Sequence, residues 1–121
     1  MKLSWTPYDL QLKHVFTISN FSRKTTPIVI VKIEYDGLVG YGEASLPPYL
    51  GETQTSVIEF LKKVDLSSFN TPTHLEEILS YVDQIAQNNT AAKAAIDIAL
   101  HDLVGKIISA PRHKIWGLNR K

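Results

Sequence analysis

Asp97, His101 and Asp102 stand close together in the run AAKAAIDIALHDLVGKII. Carboxylates beside an imidazole can hold a metal ion or move a proton. If the run is helical, Asp97 and His101 fall at i, i+4 and share a face. The sequence offers no third ligand at a matching distance, and polar residues on an apolar helix more often tie it to a neighbouring backbone. Glu43 and Glu52 form a second candidate, because paired carboxylates can divide acid and base work. No lysine or histidine is placed to tune them, so a helix cap near Thr53 or a loop-bracing hydrogen bond is the expectation. Gly40-x-Gly42 begins a phosphate-loop pattern, yet no third glycine follows at the right spacing. Pro47-Pro48 also blocks the helix whose N-terminus would receive the phosphate. The plainer reading is a pair of glycines easing the chain through a strand end. Arg23, next to Lys24, carries a guanidinium that can grip a carboxylate in bidentate fashion, although a charge in a polar loop is ordinarily just solvated. Taken singly, none of these groups defines a reaction.

The elements that must position them follow from patterning. Leu10, Leu12 and His14 alternate with Gln11 and Lys13, which predicts a half-buried strand. IVIVKIEY, residues 28–35, is β-branched and nearly continuous, which predicts a central strand. Asp36-Gly37 can take the positive φ angles of a tight hairpin, and residues 38–44 return as a third strand. FTISNFSRKTTP, residues 16–27, is the polar loop between the first two strands. Near Thr53 the period changes from two to about 3.6. Val57, Ile58, Leu61 and Val64 then stripe one helix. Thr73-x-x-Glu76, preceded by Pro72, reads as the capping box of a second, with Leu75, Ile78, Leu79, Val82 and Ile85 on one face. Asn89 or Thr90 caps a third, alanine-rich helix that is apolar around most of its circumference. That character predicts burial on several sides and close approach of its neighbours. Strands followed by helices is an α+β order: a three-stranded antiparallel meander, then a three-helix bundle.

Composition narrows the function classes. The chain has 121 residues, enough for one domain with a core of its own. The formal net charge of +1 provides no field to recruit nucleic acid or a membrane surface. The absence of cysteine excludes disulfide scaffolds, thiolate zinc sites and cysteine nucleophiles. The first residues, MKLSWTPYDLQLKH, lack the apolar run of a secretory signal, and no segment has the roughly 20 apolar residues of a membrane span. A cytoplasmic location is the default expectation.

Three stretches in this order resemble a known family. GYGEASLPPYLGET (residues 40–53) is similar to the strand-to-loop segment of the N-terminal domain of the enolase superfamily. Its G-Y-G-E-A followed by P-x-Y-x-G-E-T resembles the dipeptide epimerase branch. FTISNFSRKT resembles the segment after the first strand in those enzymes, with Phe16, Ile18 and Arg23 at matching places. AAIDIALHDLVGKIISAPRHKIWGL resembles the alanine-rich closing helix and the approach to the barrel.

The resemblance implies that residues 1–121 form an enolase-superfamily N-terminal capping domain, with the C-terminal β/α barrel absent from this chain. In the family, two loops of the cap close over the substrate; here they are residues 16–25 and 45–52. The barrel supplies the lysines that move the α-proton and the carboxylates that hold Mg²⁺, so neither catalytic nor metal-binding residues are expected in this chain. Phe16, Ile18, Arg23, Tyr49 and Leu50 are the implied substrate-binding residues, and Arg23 is the one that favours an acidic dipeptide side chain. Phe21 departs from the glycine some relatives carry, which makes the loop bulkier and leaves the choice between acidic and hydrophobic dipeptides open. The implied partners are the barrel and a small dipeptide of peptidoglycan peptide metabolism, with no nucleic acid and no membrane; a homo-oligomer stays open. Muconate cycloisomerase-like and acyl-succinate-forming branches remain alternatives, as does a non-catalytic α+β interaction module. Ile115, Trp116 and Leu118 separate the last from the rest: they pack on a barrel in a capping domain, and fold back onto the helices in a free-standing module.

Overall fold

The computed structural model describes residues 1–11, 25–46 and 51–109. Three strands, β1 (Lys2–Gln11), β2 (Thr25–Tyr35) and β3 (Leu38–Ser45), form one antiparallel sheet in the order β1-β2-β3. Three helices follow: α1 (Gln54–Leu61), α2 (Leu75–Ile85) and α3 (Thr90–Ser109). The meander and the three helices are as the sequence predicts.

Period-two patterning sets the two faces of the sheet. Val29, Val31 and Ile33 are fully buried, with Gly40, Gly42 and Ala44 buried beside them on β3. Leu3 and Trp5 lie opposite Ile33 and Val31 and complete the face that meets the helices. The other face carries Lys32, Glu34, Tyr41 and Glu43, with Lys32 and Glu34 paired at 3.3 Å. At the β2–β3 turn Asp36 and Gly37 have φ of 52° and 79°, the positive pair that a tight hairpin of this hand requires.

Several element limits differ from the sequence reading. β1 starts at Lys2, well before Leu10, and β2 starts at Thr25, so residues 25–27 belong to the strand and not to the polar loop. Pro7 disguises β1, since proline is foreign to central strands but admissible on an edge; β1 is an edge strand, with Pro7 opposite Val29. Helix α1 ends at Leu61, and Val64 is buried in the turn beyond it. The T-x-x-E box does not form at Thr73. The Thr73 hydroxyl meets that of Thr71 at 3.0 Å, and α2 begins after His74 without a side-chain cap. A reciprocal box forms instead at Thr53, whose hydroxyl accepts from Ser56 N–H at 3.0 Å while Ser56 Oγ accepts from Thr53 N–H at 2.9 Å.

α3 has six buried residues, Ala92, Ala95, Ile96, Ala99, Leu100 and Leu103, more than either other helix. Its burial is confined to one broad face and does not extend around it: Ile98 is 53% exposed and Ile108 75%. The buried face lies almost on the β3 backbone. A β-carbon on Gly42 would run into the Ala95 carbonyl and stand 3.0 Å from Ala99 N. One on Gly40 would collide with the Ala99 carbonyl and with Leu103 Cβ at 2.7 Å. The two glycines therefore serve a helix–strand contact in mid-strand; they neither cradle a phosphate nor ease a strand end.

Candidate functional site

Both loops spring from one end of the sheet, opposite the Asp36-Gly37 hairpin. Gln11 pairs with Thr25 across the base of residues 12–24, and Ile28 pairs with Ser45 where β3 gives way to residues 47–50. Leu46 is buried and donates its N–H to the Pro27 carbonyl at 3.1 Å, which fixes the entry to the second loop against β2.

The exit from that loop is held at Gly51, Glu52 and Gln54. Gly51 turns the chain with φ of 86°, a region that strains any side chain. Glu52 Oε2 then accepts from the Ala91 backbone N–H at 3.0 Å and from the Thr90 hydroxyl at 3.2 Å. A carboxylate satisfies an otherwise unpaired donor at the first turn of α3, where the helix dipole also favours negative charge. The cap for α3 thus comes from Glu52 and not from the side chains of Asn89 or Thr90, and Glu52 does not cap α1, which Thr53 does. Gln54 Nε2 donates to the Tyr8 carbonyl at 2.8 Å and the Ile28 carbonyl at 3.1 Å, tying the start of α1 to both strands that carry the first loop.

Phe16, Ile18, Arg23, Tyr49 and Leu50 lie outside the described residues, as do Phe21, Ile115, Trp116 and Leu118. The other candidates resolve into structural roles. Glu43 is exposed and accepts from the Ser45 hydroxyl at 3.2 Å, so the two glutamates serve different elements. His101 Nδ1 approaches Asp97 Oδ1 at 2.7 Å on the exposed side of α3. Asp102 Oδ2 accepts the Tyr41 backbone N–H at 2.9 Å, and Lys106 reaches Asp102 at 3.1 Å and the Val39 carbonyl at 2.7 Å. The Tyr41 N–H first, and Lys106 second, hold the Asp102 carboxyl below its ordinary range. These contacts occupy outward-facing polar groups of β3, an edge strand that would otherwise offer them to another chain. Among the described residues no three His, Asp or Glu converge on a point that could hold a metal ion, and no described helix is long and apolar enough to cross a membrane. The sequence points Glu52 to a cap near Thr53 or a loop-bracing hydrogen bond, of which the second forms, but it does not identify the partners of Glu52 and singles out nothing at Gln54.

A three-stranded meander, three helices and two loops rooted at one sheet end make up the architecture of enolase-superfamily N-terminal domains. A mandelate racemase/muconate lactonizing protein from Herpetosiphon aurantiacus superimposes with a TM-score of 0.74 over 93% of this chain and 32% of that one, at 23% identity. The chain belongs to the family described as mandelate racemase / muconate lactonizing enzyme, N-terminal domain, which it matches over residues 6–117. It is 63% identical over 121 residues to the L-Ala-D/L-Glu epimerase of Bacteroides thetaiotaomicron, covering 100% of this chain and 32% of that protein. The dipeptide epimerase from Enterococcus faecalis, solved with Mg and the dipeptide L-Leu-L-Tyr, superimposes with a TM-score of 0.72 at 34% identity, over 86% of this chain and 30% of that one. The chain thus spans about a third of the length of the curated relatives it matches.

Proposed function

We propose that this domain caps and selects the substrate of a dipeptide epimerase acting on L-Ala-Glu-type dipeptides of peptidoglycan peptide metabolism in the cytoplasm. The observation that carries this reading is the 63% identity to an L-Ala-D/L-Glu epimerase across the whole of this chain. The sheet geometry supports it, because both loops rise from one end and share their anchorage. Residues 16–25 and 45–52 close over the dipeptide, exclude water and orient it. Phe16, Ile18, Tyr49 and Leu50 line its outer side, and Arg23 meets a side-chain carboxylate. The α-proton transfer and the Mg²⁺ belong to a β/α barrel of the parent protein; this is supported by the chain's covering only 32% of the L-Ala-D/L-Glu epimerase it resembles and by the Mg in the Enterococcus faecalis epimerase structure. In such a barrel the metal offsets the negative charge that builds on the substrate as the α-proton leaves. This domain takes no part in that step; it binds and orients.

The test is the full-length parent with Mg²⁺ in D₂O, given L-Ala-L-Glu. Deuterium should enter the Glu α-position and the L-Ala-D-Glu epimer should accumulate, both followed by proton NMR. A parent inert toward a dipeptide panel but active in cyclising muconate would overturn the reading in favour of the cycloisomerase branch.

A further inference from the structure

Four stems carry the two loops, and three hydrogen bonds join all four. Leu46, entering the second loop, donates to Pro27 on β2 at 3.1 Å. The next residue of β2, Ile28, offers its carbonyl to Gln54 Nε2 at 3.1 Å, and Gln54 follows the exit of the second loop. The same nitrogen donates to the Tyr8 carbonyl on β1 at 2.8 Å, on the strand that enters the first loop. Tyr8 and Ile28 are direct cross-strand partners, so the amide lies across one rung of the ladder.

We infer that Gln54 is a positioning residue that holds the described stems of the two loops in one frame and thereby, on the proposed function, sets how well the domain binds substrate. The chemistry of the contact restricts what can stand there. Two carbonyl acceptors need two N–H donors, and the planar amide nitrogen of glutamine has two. A glutamate of the same shape would set a carboxylate against two carbonyl oxygens; a methionine would leave neither served. The helix start does not depend on this contact, because Thr53 and Ser56 cap α1 by themselves. Nor does the tie from the loop exit to the start of α3, which is made by Glu52. The amide of Gln54 is thus a separable link whose described partners are loop stems. Its effect on turnover rests on the reading that these loops cover the dipeptide.

The experiment compares the full-length parent with its Gln54→Met and Gln54→Lys variants. Amide hydrogen exchange is followed in peptides spanning residues 9–28 and 45–53, with α2 as the internal reference. Gln54→Met should speed exchange in both spans by roughly tenfold, the weight of two neutral hydrogen bonds, and leave α2 unchanged. Its KM for L-Ala-L-Glu should rise by about tenfold with kcat within about twofold, because outer-side binding is lost and proton transfer is not. Gln54→Lys, which restores donors to both carbonyls, should recover most of each effect. Faster exchange only around residue 54, or equally in α2, would overturn the inference, as would a fall in kcat at constant KM. If the parent turns over no dipeptide, the exchange pattern still decides the role of Gln54, and only the functional reading falls.

Discussion

Gly42 lies directly beneath Ala95, with the Ala95 carbonyl oxygen in the place where a β-carbon would stand. The obstruction is helix backbone on one side and strand backbone on the other, so no side chain can swing aside. Gly42→Ala should destabilise the domain by about 1–3 kcal/mol, the usual range for overpacking, and toward the upper end. Gly105→Ala is the contrast. Gly105 is helical and exposed, and a β-carbon there meets nothing within 4 Å. That substitution should stabilise by about 0.5–1 kcal/mol through helix propensity. Urea midpoints of the two variants should therefore move in opposite directions.

The two threonine-led patterns make a second comparison. Thr53 caps α1 through a reciprocal pair of hydrogen bonds with Ser56. Thr73 precedes α2 but spends its hydroxyl on Thr71 in a turn. Thr53→Ala should cost about 1 kcal/mol, whereas Thr73→Ala should stay within about 0.5 kcal/mol, as surface changes away from a cap do. Equal losses in chemical unfolding would mean that α2 is capped in solution as its sequence suggests.

Asp102 links stability to acid. Its carboxyl is held below the ordinary value of 3.8, first by the Tyr41 N–H and then by Lys106. A depressed folded-state value means the stabilisation is complete above that ordinary value and is lost as pH falls through the lower, folded one. The effect belongs below about pH 4 and is small, because the side chain is 38% exposed and screened by solvent. Asp102→Asn should flatten this acid limb while still offering an oxygen to Tyr41 N–H. Urea midpoints of both proteins at pH 7 and pH 3 check it. The wild type should lose more between the two, and parallel losses would assign the acid limb to other carboxylates.

Legibility in the sequence followed the range of each interaction. The central strand, the hairpin and the helix stripes are local patterns, and Val29, Val31, Ile33, Ile78 and Val82 are buried as their spacing predicts. β1 was obscured by Pro7, because edge strands tolerate what central ones reject. The T-x-x-E pattern at Thr73 failed because a neighbouring hydroxyl competed for the same side chain. Gly40 and Gly42 were informative in a way that only α3 discloses, since a close backbone approach needs both partners in view. Glu52 and Gln54 were the least legible. Their partners stand 38 and 39 residues away for Glu52, and 46 and 26 for Gln54, and no local spacing encodes such pairs.

The remaining prediction concerns Arg23 in the full-length parent and rests on the proposed function. A bidentate, charge-assisted contact from its guanidinium to a substrate carboxylate contributes roughly 1.5–3 kcal/mol. Arg23→Ala should therefore lower kcat/KM for L-Ala-L-Glu by about one to two decades. For L-Ala-L-Ala, which has no side-chain carboxylate, the loss should be much smaller, because no such contact exists to remove. Phe21 beside it makes the loop more apolar, so the comparison also reports which dipeptide class the lid favours. The quantity that decides is the ratio of the two losses, since a lid that is merely loosened weakens both substrates alike. Equal losses would mean that Arg23 braces the loop and that the acidic preference arises elsewhere.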